Sequence, residues 1–143
     1  MEIKEINKTF VRGSYENSVV YYVTSLLQYF KMGVTQNDIK EKLQPDEKTT
    51  TTLADIATAL EGFGLIAEGF DAESVADMDE LTNPALIPVD SDEGLLDFGI
   101  YYGKYMNKYL IGLPAWGLHL YTAWEFEAIW DSHFLLEVMR NEQ

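Results

Sequence analysis

The sequence predicts an α+β fold, and three observations predict it. Before Gly64, apolar residues recur at the spacing of helix turns. After Gly64 the period shortens, and β-branched and aromatic residues gather in short runs bounded by Pro, Gly and Asp. The 143 residues are 47% hydrophobic and 13% aromatic, which is enough for one packed core and unlike a disordered chain. With no repeat, low-complexity tract or linker in view, residues 1–143 are expected to form a single domain.

The elements follow in chain order. In "NSVVYYVTSLLQYF", residues 17–30, Val19, Val20, Val23, Leu26, Leu27 and Phe30 make one apolar face, so the segment predicts a helix with Asn17 or Ser18 at its N-cap. "GVTQNDIKEKL" predicts a short second helix, capped by Thr35 with Asp38 three residues on. "TTLADIATALEGFG" predicts a third, capped by Thr52, with Leu53, Ile56, Ala57, Leu60 and Phe63 as its stripe and Gly64 as its stop. "LIAEGF" reads as a strand, "DAESVADMDEL" as a short acidic helix and "PALIPV" as an apolar strand. "DSDEG" is a loop. "FGIYYGKYMNKYLIGL" reads as a hairpin of two aromatic-rich strands that turns near Lys104 to Lys108. "GLHLYT" is a strand, "TAWEFEAIW" a helical turn capped by Thr122, and "FLLEVM" the last strand. The sum is helices followed by a mainly antiparallel sheet decorated with short helices.

Charge narrows the function classes. The net charge is -14, and residues 49–103 contain neither Lys nor Arg while holding Asp55, Glu61, Glu68, Asp71, Glu73, Asp77, Asp79, Glu80, Asp90, Asp92, Glu93 and Asp97. Such a field repels phosphates, so nucleic acid is not expected as a ligand. It suits a basic peptide or protein surface; the plainer reading is a solubilising face. Cysteine is absent, which removes disulfides, thiolate metal sites and a cysteine nucleophile. "MEIKEINKTF" has no basic segment leading into an apolar run, and no apolar stretch is long enough to span a bilayer. A cytoplasmic location without membrane insertion is therefore expected.

Taken together, the segments resemble a known family. "NSVVYYVTSLLQYF" has the spacing of a nucleophile helix ending in two aromatics. "GVTQNDIKEKL" and "TTLADIATALEGFGLIAEGF" resemble the helices and first strand that follow. "ESVADMDELTNPALIPV" resembles a segment ending in a Pro-Ala-Ile strand, and "YLIGLPAWGLHLYTAWEFEAIW" a Pro-Gly turn, strand and Leu-x-Glu-Phe helix. Their order is similar to that of the papain-like peptidase domain of bacteriocin-exporting ABC transporters, which cleaves leader peptides after a double glycine. The resemblance spans roughly residues 11–138. It implies a papain-like cysteine peptidase fold, with N-terminal helices packed on a mainly antiparallel sheet.

The family's functional positions are not kept. The nucleophile position holds Ser18 and the glycine after it Val19. The histidine position matches Asp97, in "DFGIYYG", and the aspartate before the turn proline matches Leu113, in "GLPAWG". The glutamine of the oxyanion hole falls near Arg12. Ser18 as a nucleophile would need a positioned base. His119 and His133 lie beyond the strand that should supply one, so a helix cap is the simpler account of Ser18. "DSDEG" is similar to a fragment of a calcium loop but lacks the later bidentate Glu, so neither metal nor other cofactor is expected. Tyr101, Tyr102, Tyr105, Tyr109 and Trp116 cluster in sequence; more than half should be packing, and an outward set would offer a platform to an extended peptide.

The resemblance then implies a bacterial pseudoenzyme: a peptidase-like domain that binds a peptide or protein as an adaptor, chaperone-like binder or peptide-export accessory. Arg12, Ser18, Tyr22, Asp97 and Trp116 would line its relic cleft. Two alternatives are an acidic immunity or inhibitor protein neutralising a basic toxin or nuclease, and a residual serine hydrolase using Ser18.

Overall fold

A computed structural model describes residues 3–11, 18–43, 53–90, 96–113 and 117–141. The helices are α1 (Ile3–Thr9), α2 (Ser18–Tyr29), α3 (Gln36–Leu43), α4 (Leu53–Gly62) and α5 (Ala123–Ile129), with a 3-10 helix at Val75–Glu80. The strands are β1 (Leu65–Asp71), β2 (Ala85–Asp90), β3 (Leu96–Tyr105), β4 (Lys108–Leu113), β5 (Gly117–Tyr121) and β6 (Phe134–Arg140). The α+β class and the expected order of elements are those found, with α1 added before them. The chain divides into two compact units: residues 1–66 with 114–117 and 140–143, and residues 67–113 with 118–139.

In the helical unit, α2 forms because Val20, Val23, Leu26 and Leu27 recur on one stripe, and all four are buried. Tyr22, Thr24 and Ser25 are buried as well, so α2 is covered nearly all round. The Val11 backbone N–H donates to the Ser25 hydroxyl at 2.8 Å, which fixes the chain leaving α1. Among the described residues the Thr24 hydroxyl is buried without a partner. α2 ends in a Schellman motif: the Met32 N–H reaches the Leu27 carbonyl, the Lys31 N–H reaches that of Gln28, and Lys31 takes a left-handed φ of 57°. The α3 capping box is as the sequence implies. Asp38 N–H donates to the Thr35 hydroxyl at 3.1 Å, and Thr35 N–H to the Asp38 carboxylate at 3.2 Å. Gly64 stops α4 at a φ of 95°. Thr52 and the N-cap candidate Asn17 lie outside the described residues.

In the sheet unit the strand order is β1-β6-β2-β3-β4-β5, with β2 antiparallel to both β3 and β6, and β3 antiparallel to β4. One face carries Ala85, Ile87, Val89, Tyr101, Tyr109, Ile111 and Leu135, packed on Val75 and Met78 of the 3-10 helix and on Phe126 and Trp130 at α5. Phe126 stacks on Trp130 at 4.9 Å and on Tyr101 at 6.0 Å, and the Trp130 indole N–H is satisfied by the Phe134 carbonyl. Thr122 caps α5, accepting from Glu125 N–H, while the Glu125 carboxylate accepts from Thr122 N–H at 2.9 Å.

The β3–β4 hairpin turns at Met106 and Asn107, with φ of 52° and 65°, the two positive values of a type I′ turn. Before the turn the register slips. Tyr101 faces Ile111 and Gly103 faces Leu110, so Tyr102 is the extra residue of a β-bulge, followed by Gly103 at φ 127°. Of the five clustered aromatics, more than half are packing, as expected, and Tyr105 is half-buried. Tyr101, Tyr102 and Tyr109 are 1%, 5% and 3% exposed, and Tyr101 and Tyr109 pack in the cluster with Phe126 and Trp130. Trp116 and "DSDEG" lie outside the described residues.

Candidate functional site

The positions matched to the peptidase machinery fall on identifiable elements. Ser18 is the first residue of α2. Asp97 is the second residue of β3, and its Cα partner is Val89 of β2. The side chains of Ser18 and Asp97, and all of Arg12, lie outside what is described. Leu113 is the last residue of β4. Its Cδ2 lies 3.1 Å from where a Cβ on Gly99 would stand, so Leu113 packs across a glycine. Tyr22 is 1% exposed, within the core of the helical unit.

Neither histidine lies on β3. His119 is on β5. His133 stands between α5 and β6 at a φ of 54°, its Nε2 2.9 Å from the Glu127 carboxylate and its ring against Trp130 at 5.1 Å. A histidine–carboxylate pair is the orienting half of a nucleophile-activating arrangement. The nucleophile half has no cysteine to draw on anywhere in the chain.

The best-organised polar group of the sheet unit joins residues far apart in sequence. The Tyr109 hydroxyl donates to Asp79 Oδ1 at 2.7 Å, and Lys104 Nζ donates to Asp79 Oδ2 at 3.0 Å. The Lys104 ammonium also lies 5.4 Å from the Tyr109 ring centre, and the Tyr101 hydroxyl donates to the Met78 carbonyl. The hydrogen bond from Tyr109, then Lys104, holds the Asp79 carboxyl below the usual carboxylate range. Burial first, then the Asp79 bond, pushes the Tyr109 hydroxyl up to about 12. Burial, then the Asp79 charge, pushes Tyr101 up as well. Protons stay on both phenols and off the carboxylate across neutral pH, so the group is a clamp between the 3-10 helix and the hairpin rather than an acid–base pair. Sequence reading passes over it because its partners are 30 residues apart. Among the described residues no three His, Asp or Glu side chains converge as metal ligands would. No described helix is long and apolar enough to cross a membrane.

The chain is similar in fold to several peptidase domains. The peptidase domain of Streptococcus ComA, a bi-functional ABC transporter involved in a quorum sensing pathway, superposes with a TM-score of 0.73 at 17% identity, covering 91% of this chain and 96% of that one. A double glycine motif protease from an AMS/PCAT transporter, solved with its leader peptide, gives 0.70 at 19% identity over 90% and 86%. The N-terminal peptidase C39-like domain of a Vibrio parahaemolyticus toxin secretion ATP-binding protein gives 0.60 at 15% identity over 98% of both chains. No curated protein matches the sequence. At these identities the structures establish the fold, which is the papain-like arrangement the sequence resembles. The profile of the Peptidase C39 family matches residues 8–143, across both compact units, and the chain therefore belongs to the Peptidase C39 family.

Proposed function

We propose that this chain is a catalytically inactive member of the family, a bacterial, cytoplasmic pseudoenzyme that binds a peptide or protein partner as an adaptor, chaperone-like binder or peptide-export accessory. The observation that carries the reading is the absence of cysteine from the whole sequence. A C39 peptidase without a thiolate lacks its nucleophile, and Asp97 and Leu113 stand where the base and its orienting carboxylate belong. Loss at three positions argues for a scaffold kept after its chemistry went. A peptide partner is supported by analogy with the double glycine motif protease solved with its leader peptide. Arg12, Ser18, Tyr22, Asp97 and Trp116 are the residues proposed to line the relic cleft, with no cofactor or metal.

The test is to incubate the purified chain and its Ser18→Ala variant with a double-glycine leader peptide, following binding by calorimetry and cleavage by mass spectrometry. Binding without cleavage by either protein is expected. Cleavage that disappears in Ser18→Ala would establish the residual serine hydrolase instead.

A second reading, an acidic inhibitor or immunity protein, draws on the stretch 49–103 without Lys or Arg. Charge-driven capture of a basic toxin or nuclease weakens steeply with salt, whereas apolar groove binding does not. Salt dependence measured on a partner recovered from the native cell separates the two.

A further inference from the structure

We infer that the outer edge of β1 takes up an extended, basic peptide segment by strand addition. The inference rests on the reading of a peptide- or protein-binding domain, yet it uses neither Ser18 nor Asp97. Among the described residues β1 ends the sheet, with β6 as its neighbour on one side. A terminal strand presents a row of backbone N–H and C=O groups to any chain that lies beside it. From Glu68 to Asp71 every residue of β1 is exposed. β5, the other terminal strand, has only His119 fully exposed.

Each face of this exposed end has an aromatic ring. Phe70 is 46% exposed on one face. On the other, Gly69 leaves room for the ring of Phe134, whose Cζ lies 3.0 Å from where a Cβ on Gly69 would stand. A strand added beside β1 sends alternate side chains over these two rings. Charge selects which strand. Glu68, Asp71 and Glu73 line this end, and the nearest lysine in sequence beyond them is Lys104. A second copy of the same edge would set carboxylate against carboxylate, which opposes pairing. A lysine- or arginine-bearing segment meets opposite charge instead. Acidic residues alone would serve to protect an edge, but protection has no use for an exposed phenylalanine between them.

The experiment uses the full chain and, as probe, an octapeptide of alternating lysine and valine. Binding is read by calorimetry, with amide NMR shifts followed at residues 67–71. The expected result is binding that shifts those amides and weakens about tenfold or more, some 1.4 kcal/mol, in the exposed double variant E68K/D71K. A glutamate–valine counterpart and a probe N-methylated at alternate amides should be weakened at least as much. Undiminished binding by E68K/D71K, or by the N-methylated probe, overturns strand addition. Should E68K/D71K not fold, Phe70→Ala decides, with undiminished affinity counting against the proposal. Concentration-dependent dimerisation that displaces the probe overturns the basic occupant in favour of a second copy. If the lysine–valine probe fails to bind while a double-glycine leader binds wild type and E68K/D71K equally, the edge is refuted and the broader reading of a peptide binder stands.

Discussion

Tyr109 shows how one side chain joins packing to electrostatics. Its ring is buried against Phe126 at 5.2 Å, and its hydroxyl donates to Asp79, which Lys104 also holds. Tyr109→Phe keeps the ring and removes the donor, so the expected loss is about 1 kcal/mol, read as a lower Tm. The Asp79 carboxyl should titrate closer to the usual range in that variant, because its largest lowering influence is gone. The signs differ for the two groups. Asp79 is depressed in the fold, so its contribution is present above the unfolded value near 4 and is lost as pH falls through the lower folded value. Tyr109 is raised, so its contribution is full below its unfolded value near 10 and is lost as pH climbs to about 12. Alkaline unfolding followed by circular dichroism should therefore steepen between those pH values, and less so in Tyr109→Phe. A slope unchanged by the substitution would mean that the clamp does not tie protonation to folding. Lys31 gives a second case at this scale: it holds the left-handed C′ position of α2, where a β-carbon is strained. Lys31→Gly should stabilise the helical unit by about 0.5–1 kcal/mol in urea unfolding, and a loss instead would mean that the lysine makes a contact worth more than that strain.

At the scale of elements, legibility follows the range of the signal. The Thr35–Asp38 box, the Thr122 cap and the Gly64 stop are encoded within three or four residues, and sequence reading finds all of them, though not the Glu125 half of the second box. α1 escapes it, although Ile3, Ile6 and Phe10 follow at helical spacing and the last two are buried, because a seven-residue helix spans barely two turns and offers too short a period to register. The burial of most of the β3–β4 tyrosines is expected from sequence, but which of them face which way is not, since a bulge at Tyr102 breaks the two-residue alternation and only the pairing partner β4 reveals where. For the candidate site, the sequence offers only what the family resemblance implies for Ser18, Asp97 and Leu113. The Asp79–Tyr109 clamp is not legible, since long-range pairing brings it together. The hairpin turn offers a direct test of how local chemistry sets an element. Met106 and Asn107 both hold positive φ, values that Asn-Gly adopts with less strain. The double variant M106N/N107G should stabilise the chain by about 0.5–1 kcal/mol, seen as a higher urea midpoint at unchanged slope. A lower midpoint would show that Met106 makes a contact that outweighs its backbone strain.

For the whole molecule, charge is the dominant long-range term. The net charge is -14, and in the sheet unit Lys104 and Lys108 are the lysines, with no arginine. The pair Lys104–Asp79 is a third or more exposed at each partner, and exposed pairs contribute only about 0–1 kcal/mol. Repulsion summed over the acidic surface acts at longer range and opposes the compact state. Salt therefore has two opposed effects, screening a few favourable pairs such as Lys104–Asp79 and many unfavourable ones. The many should prevail, because the Debye length falls from about 30 Å at 0.01 M to about 8 Å at 0.15 M, a distance over which like charges across the surface stop interacting. Thermal unfolding should shift upward by several degrees across that range of sodium chloride, with most of the gain complete by 0.15 M. The variant E68K/D71K removes part of the repulsion beforehand, so its Tm at low salt should be higher than wild type and its rise with salt smaller. A Tm that falls as salt is added would place the balance with local pairs such as Lys104–Asp79. In that case the acidic surface is already neutralised by its own arrangement, and a basic partner would gain little from it. A rising Tm leaves that field unspent in the free chain and available to whatever binds.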